Sequence, residues 1–309
     1  LRLRQQHQRQ GAPALHVEIN GAAGLAEKFL QQLPFQLTGA QQRVAAEVAA
    51  DLSRPFPMLR LVQGDVGSGK TVIAALDALQ AIDCGYQAAV MAPTEILAEQ
   101  HYLNFQSWLG PLGLQVDWLT GKLKGKKRQA ALERIGSGEA QVVVGTHALF
   151  QDDVSFSHLG AVVVDEQHRF GVHQRLALRE KGSHDGRLPH QLIMTATPIP
   201  RTLTMSAYAD LDCSIIDELP AGRIPVNTVL ISDQRRPEVV ARVKIACAEG
   251  RQAYWVCTLI EESEALECQA AEVTAEELAA LLPELRIGLV HGRMKGTDKD
   301  KVMAAFAGE

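Results

Sequence analysis

The segment "LRLVQGDVGSGKT", residues 59–71, indicates the fold of the first half of the chain. An apolar run ends on Gly64, and a glycine-rich loop then completes the pattern G-x-x-x-x-G-K-T. Such a loop lets backbone N–H groups wrap a polyphosphate, and the helix that follows points its positive N-terminus at the same anion. Lys70 is expected to reach the β- and γ-phosphates, and Thr71 to bind Mg²⁺ through its hydroxyl. The predicted phosphate-binding residues are Gly64, Gly67, Ser68, Gly69, Lys70 and Thr71.

Short apolar runs alternate with helix-length segments around this loop. The predicted strands are 59–64, 88–93, 141–146, 161–166 and 191–197, and the predicted helices between them include 70–83, 95–109 and 127–136. This alternation is typical of βαβ units, which form a parallel sheet buried on both faces. Ligands bind at the carboxyl ends of the strands in such sheets. The sequence therefore predicts an α/β fold whose functional residues lie at one edge of a parallel sheet.

Two adjacent carboxylates end one of these strands, in "VVVDEQHRFG" (162–171). A strand-end acid downstream of a phosphate loop holds the Mg²⁺ of a bound nucleotide, and we assign this role to Asp165. Glu166 is expected to polarise the attacking water, because successive side chains at a strand end diverge and can take different roles. A structural ion pair is the alternative for two acids taken alone. Together with the phosphate loop, the pair predicts an NTPase that uses Mg²⁺.

The composition excludes several classes of protein. With 309 residues, 46% of them hydrophobic, the chain is long enough for about two domains. No apolar run approaches the roughly 18 to 20 residues of a membrane helix. Five cysteines without C-x-x-C spacing favour reduced thiols in a cytoplasmic protein over zinc or disulfides. The net charge of −5 does not indicate a nucleic-acid partner, although a basic groove can lie on an acidic protein.

The alternation stops at 211–225, where proline and glycine residues predict a linker. It resumes afterwards, and strands are predicted at 227–232, 252–260 and 286–292, with helices at 236–250 and 261–282. This pattern predicts the beginning of a second α/β domain.

From about Pro34 onward, the chain resembles the superfamily 2 helicases and translocases. The segment "LPFQLTGAQQ" resembles their adenine-recognition segment, with Phe35, Thr38 and Gln41 at the matching places. A glutamine amide can pair with both the N6 donor and the N7 acceptor of adenine. The resemblance therefore implies that the nucleotide is ATP.

Three further segments resemble motifs of the same superfamily. They are "APTEILAEQH" (92–101), "GTHAL" (145–149) and "TATPIPRT" (195–202). The first two resemble motifs that line a nucleic-acid strand, where Thr94 and Thr146 suit sugar–phosphate contacts that fix position without reading sequence. The third resembles the coupling motif, in which Thr195 and Thr197 would connect the acids to the strand site.

Within the superfamily, the chain closely resembles the RecG family of branch-migration helicases. The matching segments are "DEQHRFGVHQR" (165–175), "LIEESE" (259–264) and "HGRMKGTDKDKVMAAF" (291–306). The resemblance implies a monomeric, ATP-driven double-stranded DNA translocase that remodels stalled replication forks and Holliday junctions. Gln167 and His168 would sense the γ-phosphate and report to the DNA side. His168 therefore joins Lys70, Asp165 and Glu166 as a predicted catalytic residue.

The resemblance also implies a division into RecA-like domains. We expect a helical connector from a wedge domain (1–33), a complete ATP-binding domain (34–222) and an incomplete second domain (223–309). The second domain of the family supplies an arginine finger in a Q-x-x-G-R-x-G-R segment, which this sequence does not contain, and Arg286 and Arg293 precede that point. We therefore expect this chain to bind nucleotide but to hydrolyse ATP weakly or not at all by itself.

The sequence leaves some alternatives open. The segment "GKLKGKKR" (121–128) has five basic residues, which suit phosphate neutralisation and a solvated surface loop equally well. Arg169 suits either a structural anchor or an interdomain contact. A transcription–repair coupling factor shares the "RFG" and "TPIPRTL" features. A small-molecule P-loop kinase needs the phosphate loop but not the three further segments. A nucleotide-dependent binding module without catalysis also fits this chain by itself.

Overall fold

A computed structural model of the protein describes residues 11–16, 24–166, 187–197, 211–219, 226–257 and 264–308. The chain divides into two compact units, residues 1–224 and residues 225–309. Among the helices of the described ranges, none combines the length and the apolar character that a bilayer span requires.

In its described part, the first unit is built on one sheet of seven strands. They are β1 (Leu59–Gly64), β2 (Gln87–Met91), β3 (Val116–Leu119), β4 (Val142–Gly145), β5 (Leu159–Asp165), β6 (His190–Thr195) and β7 (Asp212–Ile216). Their order across the sheet is β3-β4-β2-β5-β6-β1-β7, and neighbouring strands pair in parallel. The predicted α/β class with a parallel sheet is confirmed.

Helices pack against this sheet. Those described in the first unit are α1 (Leu25–Gln32), α2 (Gly39–Leu52), α3 (Lys70–Asp83), α4 (Glu95–Leu109) and α5 (Gly125–Ser137). Val163 of β5 belongs to a core that includes Ile73 of α3, whereas Val162 and Val164 belong to a second core with Ile135 of α5. The sheet is therefore buried on both faces, which explains why its strands are almost continuously apolar.

Strand β7 corrects one prediction. The linker predicted at 211–225 is wrong in its first part, because residues 212–216 pair in parallel with β1. Ser214 and Ile216 are buried, whereas Cys213 and Ile215 are exposed. This alternation is that of an edge strand with one buried face. The prolines and glycine that suggested the linker lie at 220–225, outside the described residues.

The region predicted as a helical connector, 1–33, is helical only in α1 among its described residues. Residues 11–16 are not helical, and the Leu15 side chain is fully buried in the core. The N–H of Leu15 donates to the carbonyl of Leu52 (2.9 Å). His190 accepts a hydrogen bond from the N–H of Met58 at Nδ1, so its Nε2–H donates to the carbonyl of Pro13 (2.7 Å). Burial lowers the pKa of this histidine, which favours the neutral ring that both bonds require.

The described part of the second unit contains three α-helices, α6 (Arg236–Ala248), α7 (Glu264–Leu281) and α8 (Gly296–Ala307). Val240, Leu278 and Leu282 form its small core. The strands predicted at 227–232 and 286–292 do not form, and neither does the described part of 252–260. Leu230 is fully exposed there. A strand needs a neighbour to satisfy its backbone hydrogen bonds, and no partner strand lies beside these segments in the described residues.

Candidate nucleotide site

The phosphate loop lies between the carboxyl end of β1 and the first turn of α3. Gly67 and Gly69 have φ angles of 77° and 86°, a left-handed conformation that glycine adopts without strain. A Cβ atom on Gly64 would lie 2.5 Å from Oγ of Ser68. Each of the three predicted glycines therefore has a steric or conformational reason to be glycine.

Two side chains of the loop fit a bound polyphosphate. The ammonium group of Lys70 donates to the carbonyls of Gly64 (2.7 Å) and Asp65 (2.9 Å), so it lies directly over the loop backbone. The Ser68 side chain is fully buried, and its Oγ has no hydrogen-bond partner among the described residues. A buried hydroxyl without a partner is unusual. A phosphate oxygen held in the loop would supply the acceptor that this hydroxyl lacks, and this contact stays a prediction.

The predicted adenine segment is tied to the loop by Gln41. Thr38 caps α2, and the two residues bond reciprocally: Gln41 N–H donates to Oγ1 of Thr38 (3.2 Å), and Thr38 N–H donates to Oε1 of Gln41 (2.9 Å). Nε2 of Gln41 donates to the carbonyl of Ser68 (2.8 Å). Both ends of the amide are thus engaged by the protein. Phe35, in the bend before α2, is 46% exposed. The adenine contacts of these residues stay a prediction.

Asp165 ends β5 and is bound by a residue that was not singled out from the sequence. Nε2 of His101, on α4, lies 2.8 Å from Oδ2 of Asp165, and both side chains are buried. Among the described residues, the other carboxylate oxygen of Asp165 accepts no hydrogen bond. That oxygen suits a water molecule of a hydrated Mg²⁺, because nucleotide-bound Mg²⁺ keeps several waters and takes one or two protein ligands.

Glu166 adopts a left-handed backbone conformation, with φ of 49°. Non-glycine residues seldom do so, and a residue held there is often part of a functional site. The Glu166 carboxylate accepts hydrogen bonds from the hydroxyl of Thr195 and from the N–H of Ala196, both at 3.0 Å. The Thr195 hydroxyl also accepts from the N–H of Thr197 (3.1 Å). The acid and the predicted coupling motif are therefore in direct contact.

The sheet brings the loop and the acids to one edge. β6 lies between β1 and β5, and its Met194 is level with both Val62 and Asp165. Because neighbouring strands are about 4.8 Å apart, the ends of β1 and β5 are separated by roughly 10 Å. Gly64 lies two residues beyond Val62 on β1. Phosphate loop and acids therefore border the same region, as the sequence predicted.

The segments expected to line a nucleic-acid strand reach the same edge on neighbouring strands. Thr94 follows β2 and caps α4 through its side chain, which accepts from the N–H of Leu97 (3.3 Å). Thr146 is buried and follows β4. The N–H of Ala92 donates to the carbonyl of Gly145 (3.0 Å), which joins the two strand ends.

The basic segment 121–128 runs into the first turn of α5 beside this region. Lys122 forms an ion pair with Glu95 of α4, and Arg128 forms one with Asp153 (2.8 Å). Three lysines, Lys124, Lys126 and Lys127, are exposed. Cations at a helix N-terminus oppose the helix dipole. Their placement therefore does not serve helix stability, and the role of these lysines in phosphate neutralisation stays a prediction.

Other predicted residues are not placed. His168, Gln167 and Arg169 lie in 167–186, outside the described residues. In the described ranges, no three His, Cys, Asp or Glu side chains converge as a metal site.

His101 was not predicted from the sequence, although a signal exists. It occupies the apolar stripe of α4 together with Ala98, Phe105 and Leu109, and a histidine at such a position needs a polar partner.

Comparison with known sequences places the chain among helicases. The model of the family "DEAD/DEAH box helicase" matches residues 38–206. The chain is 67% identical over 283 residues to the ATP-dependent DNA helicase RecG of Pasteurella multocida, covering 91% of this chain and 41% of that protein. It is 63% identical over 300 residues to the Escherichia coli protein of the same name, covering 96% and 43%. The chain thus spans about two-fifths of these relatives, and the predicted resemblance to the RecG family is confirmed.

Solved structures agree with this relationship. The chain matches a structure of RecG bound to a three-way DNA junction with 37% identity and a TM-score of 0.78, covering 99% of this chain and 39% of that one. It matches S. cerevisiae Dbp5 bound to RNA and ADP BeF3 with 17% identity and a TM-score of 0.60. The second match shows the shared fold alone.

Proposed function

The chain belongs to the DEAD/DEAH box helicase family, and we propose from this premise that it is the motor part of an ATP-driven translocase that remodels branched double-stranded DNA. The name of the RecG relatives, ATP-dependent DNA helicase, and the junction-bound RecG structure support this proposal. Because the chain spans 41% of the first of these relatives, the activity is proposed for the whole protein, with stalled replication forks and Holliday junctions as its substrates.

One observation supports a motor function in addition to nucleotide binding. Glu166, beside the phosphate loop, accepts hydrogen bonds from Thr195 and from the N–H of Ala196. A small-molecule kinase has no need of this link, whereas a motor must report the state of the nucleotide to a second site. Glu166 is also held in a left-handed backbone conformation, which is costly for a residue other than glycine and is typical of functional sites.

Each residue of the proposed site would have its own role in ATP hydrolysis. Lys70 would exchange its two carbonyl partners for phosphate oxygens, and Ser68 would donate its buried hydroxyl to the same group. Thr71 and Asp165 would hold Mg²⁺, which neutralises charge on the β- and γ-phosphates when it is bound. Glu166 would orient and polarise the attacking water. His168 keeps its proposed role as the sensor of the γ-phosphate.

The DNA would lie along the ends of β2, β3 and β4. Thr94 and Thr146 would contact its sugar–phosphate backbone, and the exposed lysines of 121–128 would neutralise phosphates. The ion pair between Lys122 and Glu95 supports a common surface for this segment and the start of α4.

We assign residues 34–222 to a first RecA-like domain, 223–309 to part of a second one, and 1–33 to a connector. The division of the chain into units of residues 1–224 and 225–309 supports the boundary between the two domains.

The test is ATP hydrolysis with and without forked DNA, measured on this chain and on a protein extended to the length of the RecG relatives. Glu166→Gln is compared with Glu139→Gln, which changes an exposed glutamate on the same unit. Binding of a fluorescent ATP analogue is measured in parallel. We expect Glu166→Gln to keep nucleotide and DNA binding and to lose fork-stimulated turnover, while Glu139→Gln behaves as wild type.

Turnover that does not respond to DNA in the extended protein would contradict the motor. A defect of Glu166→Gln that depends on a small phosphate acceptor would instead identify a phosphotransferase.

A further inference from the structure

A cavity of about 300 Å³ lies in the first unit between α1, α2 and α3. Its volume is at the lower end of the range for small-molecule sites. Its lining is mainly apolar. The apolar lining includes Ala26, Leu30, Leu37, Ala45, Ile73 and Leu76. Leu37 and Gln42 of the lining belong to the predicted adenine segment, whereas the phosphate loop and the two acids contribute no lining residue.

One acidic side chain, Asp77 of α3, lines this cavity. Asp77 is 1% exposed, and neither of its carboxylate oxygens has a hydrogen-bond partner among the described residues. Burial raises the pKa of this carboxyl to about 8. Because nearly all buried polar groups in proteins are hydrogen-bonded, two orphaned oxygens on one buried acid require an explanation.

The amide groups in the cavity wall do not supply the missing partner. Nε2 of Gln80 donates to the carbonyls of Leu15 (2.8 Å) and Ala49 (3.2 Å). Nε2 of Gln42 donates to the carbonyl of Leu37 (3.1 Å). Both side chains are thus turned towards the backbone, and the acid faces a largely apolar space.

We propose that this cavity is a binding site for a small molecule that carries a protonated primary amine on an apolar body. An ammonium group would give Asp77 a charge-assisted hydrogen bond, and the apolar body would cover the aliphatic wall. A metal ion does not fit, since Ca²⁺ and Mg²⁺ require several oxygen ligands and the described residues of the wall offer one carboxylate. A neutral apolar ligand would leave the acid unsatisfied.

The position of Asp77 connects the proposed amine site to the phosphate loop. Asp77 lies seven residues after Lys70 on the same helix, which is two turns or about 10 Å along its axis. A ligand that orders this part of α3 is therefore placed to affect the phosphate loop, and nucleotide would then affect the ligand to the same extent. This consequence rests on the proposed nucleotide binding, whereas the amine site does not.

The test uses benzylamine as the probe and benzyl alcohol as its neutral counterpart. Binding of each to this chain, without nucleotide, is followed by ligand-observed NMR and calorimetry. The variant Asp77→Asn keeps the shape of the side chain and removes the carboxyl group that would give its proton to the bound amine. The control Asp83→Asn removes the charge of an exposed acid on the same helix, and its amide oxygen can still accept the hydrogen bond that the N–H of Leu25 donates to Asp83 (2.9 Å).

We expect benzylamine to bind wild type and Asp83→Asn equally. It should bind Asp77→Asn at least about tenfold more weakly, as the loss of a charged hydrogen bond implies. Benzyl alcohol should not distinguish the three proteins.

A second variant, Ala45→Leu, fills part of the cavity and leaves Asp77 unchanged. It should weaken the binding of benzylamine. Equal binding of benzylamine to wild type and Asp77→Asn, or no binding to wild type at millimolar concentration, would overturn the proposal. The assay contains no nucleotide. Failure of the amine-site proposal would therefore not bear on the proposed motor function.

Discussion

Nε2 of His101 lies 2.8 Å from Oδ2 of Asp165, and both side chains are buried. His101 belongs to α4, which begins directly after Thr94 in the segment expected to contact DNA. Asp165 ends β5 on the side of the phosphate loop. The hydrogen bond thus joins the half of the sheet edge expected to bind DNA to the half expected to bind nucleotide. A carboxylate fixed through one oxygen also presents its other oxygen in a constant direction.

We expect His101→Ala to weaken the use of Mg²⁺ by the extended protein. Loss of an outer partner of a metal-binding group typically costs about 10- to 100-fold in metal affinity or activity. The Mg²⁺ concentration at half-maximal ATPase rate should therefore rise by about that factor, while binding of nucleotide without Mg²⁺ changes little. His101→Gln, which can still donate from its amide, should recover part of the loss.

Gln100→Ala is the matched control, because Gln100 is exposed on the same helix. An unchanged Mg²⁺ requirement in His101→Ala would show that the bond to Asp165 is only structural.

Thr195→Val tests the link between Glu166 and the coupling motif. The substitution keeps the shape of the side chain but removes the hydroxyl that donates to Glu166 (3.0 Å). Loss of a hydrogen bond to a charged group costs roughly 1.5 to 3 kcal/mol, so fork-stimulated kcat should fall about 10- to 100-fold. KM for ATP should change little, because the hydroxyl that is removed donates to the acid and not to the phosphate loop. Thr195→Ser retains the hydroxyl and should stay close to wild type. A change in KM with kcat intact would contradict this assignment.

The sequence predicted the centre of the fold well because several local signals coincide there. β1 and α3 begin and end at the predicted residues, since the phosphate-loop pattern fixes the junction between them. β7 was missed because nearby proline and glycine suggested a linker, although its register is set by pairing with β1. In the second unit, helices formed near the predicted positions 236–250 and 261–282, whereas the three apolar runs were wrongly predicted as strands. Such runs form strands only beside a partner, and its position depends on residues distant in the sequence.

The contacts within the candidate site were likewise only partly predictable from the sequence. The motif residues were assigned from their spacing and from the family resemblance, whereas the contact between His101 and Asp165 joins residues 64 positions apart. A histidine in the apolar stripe of a helix signals a buried polar partner, but it does not identify that partner. The second role of Gln41, bonded to Ser68 across 27 positions, depends likewise on how α2 packs against the loop.

Gly145→Ala should destabilise the first unit. Gly145 pairs with Leu119 of β3, and a Cβ atom there would overlap the carbonyl oxygen of Leu119 and lie 3.1 Å from Cγ of Leu149. The strand would have to shift, which typically costs about 1 to 3 kcal/mol. Urea unfolding followed by circular dichroism measures this loss. Gly121→Ala, where a Cβ meets nothing within 4 Å, should stay within about 0.5 kcal/mol of wild type. Equal midpoints for the two variants would show that β3 and β4 are not so closely paired.

Asp77→Asn should stabilise the chain increasingly as the pH rises. The pKa of Asp77 is about 8 in the folded protein and near 3.9 in an unfolded chain. Between these values the folded state holds a proton that the unfolded state has lost, so the contribution of Asp77 to the free energy of unfolding falls as pH increases. The total loss is on the order of a few kcal/mol, and asparagine, which does not titrate, avoids it. Urea midpoints of wild type and Asp77→Asn should therefore diverge from pH 5 to pH 8, whereas Asp83→Asn, an exposed acid on the same helix, should follow wild type. Parallel curves for wild type and Asp77→Asn would mean that Asp77 is ionised in the folded protein and has found a partner.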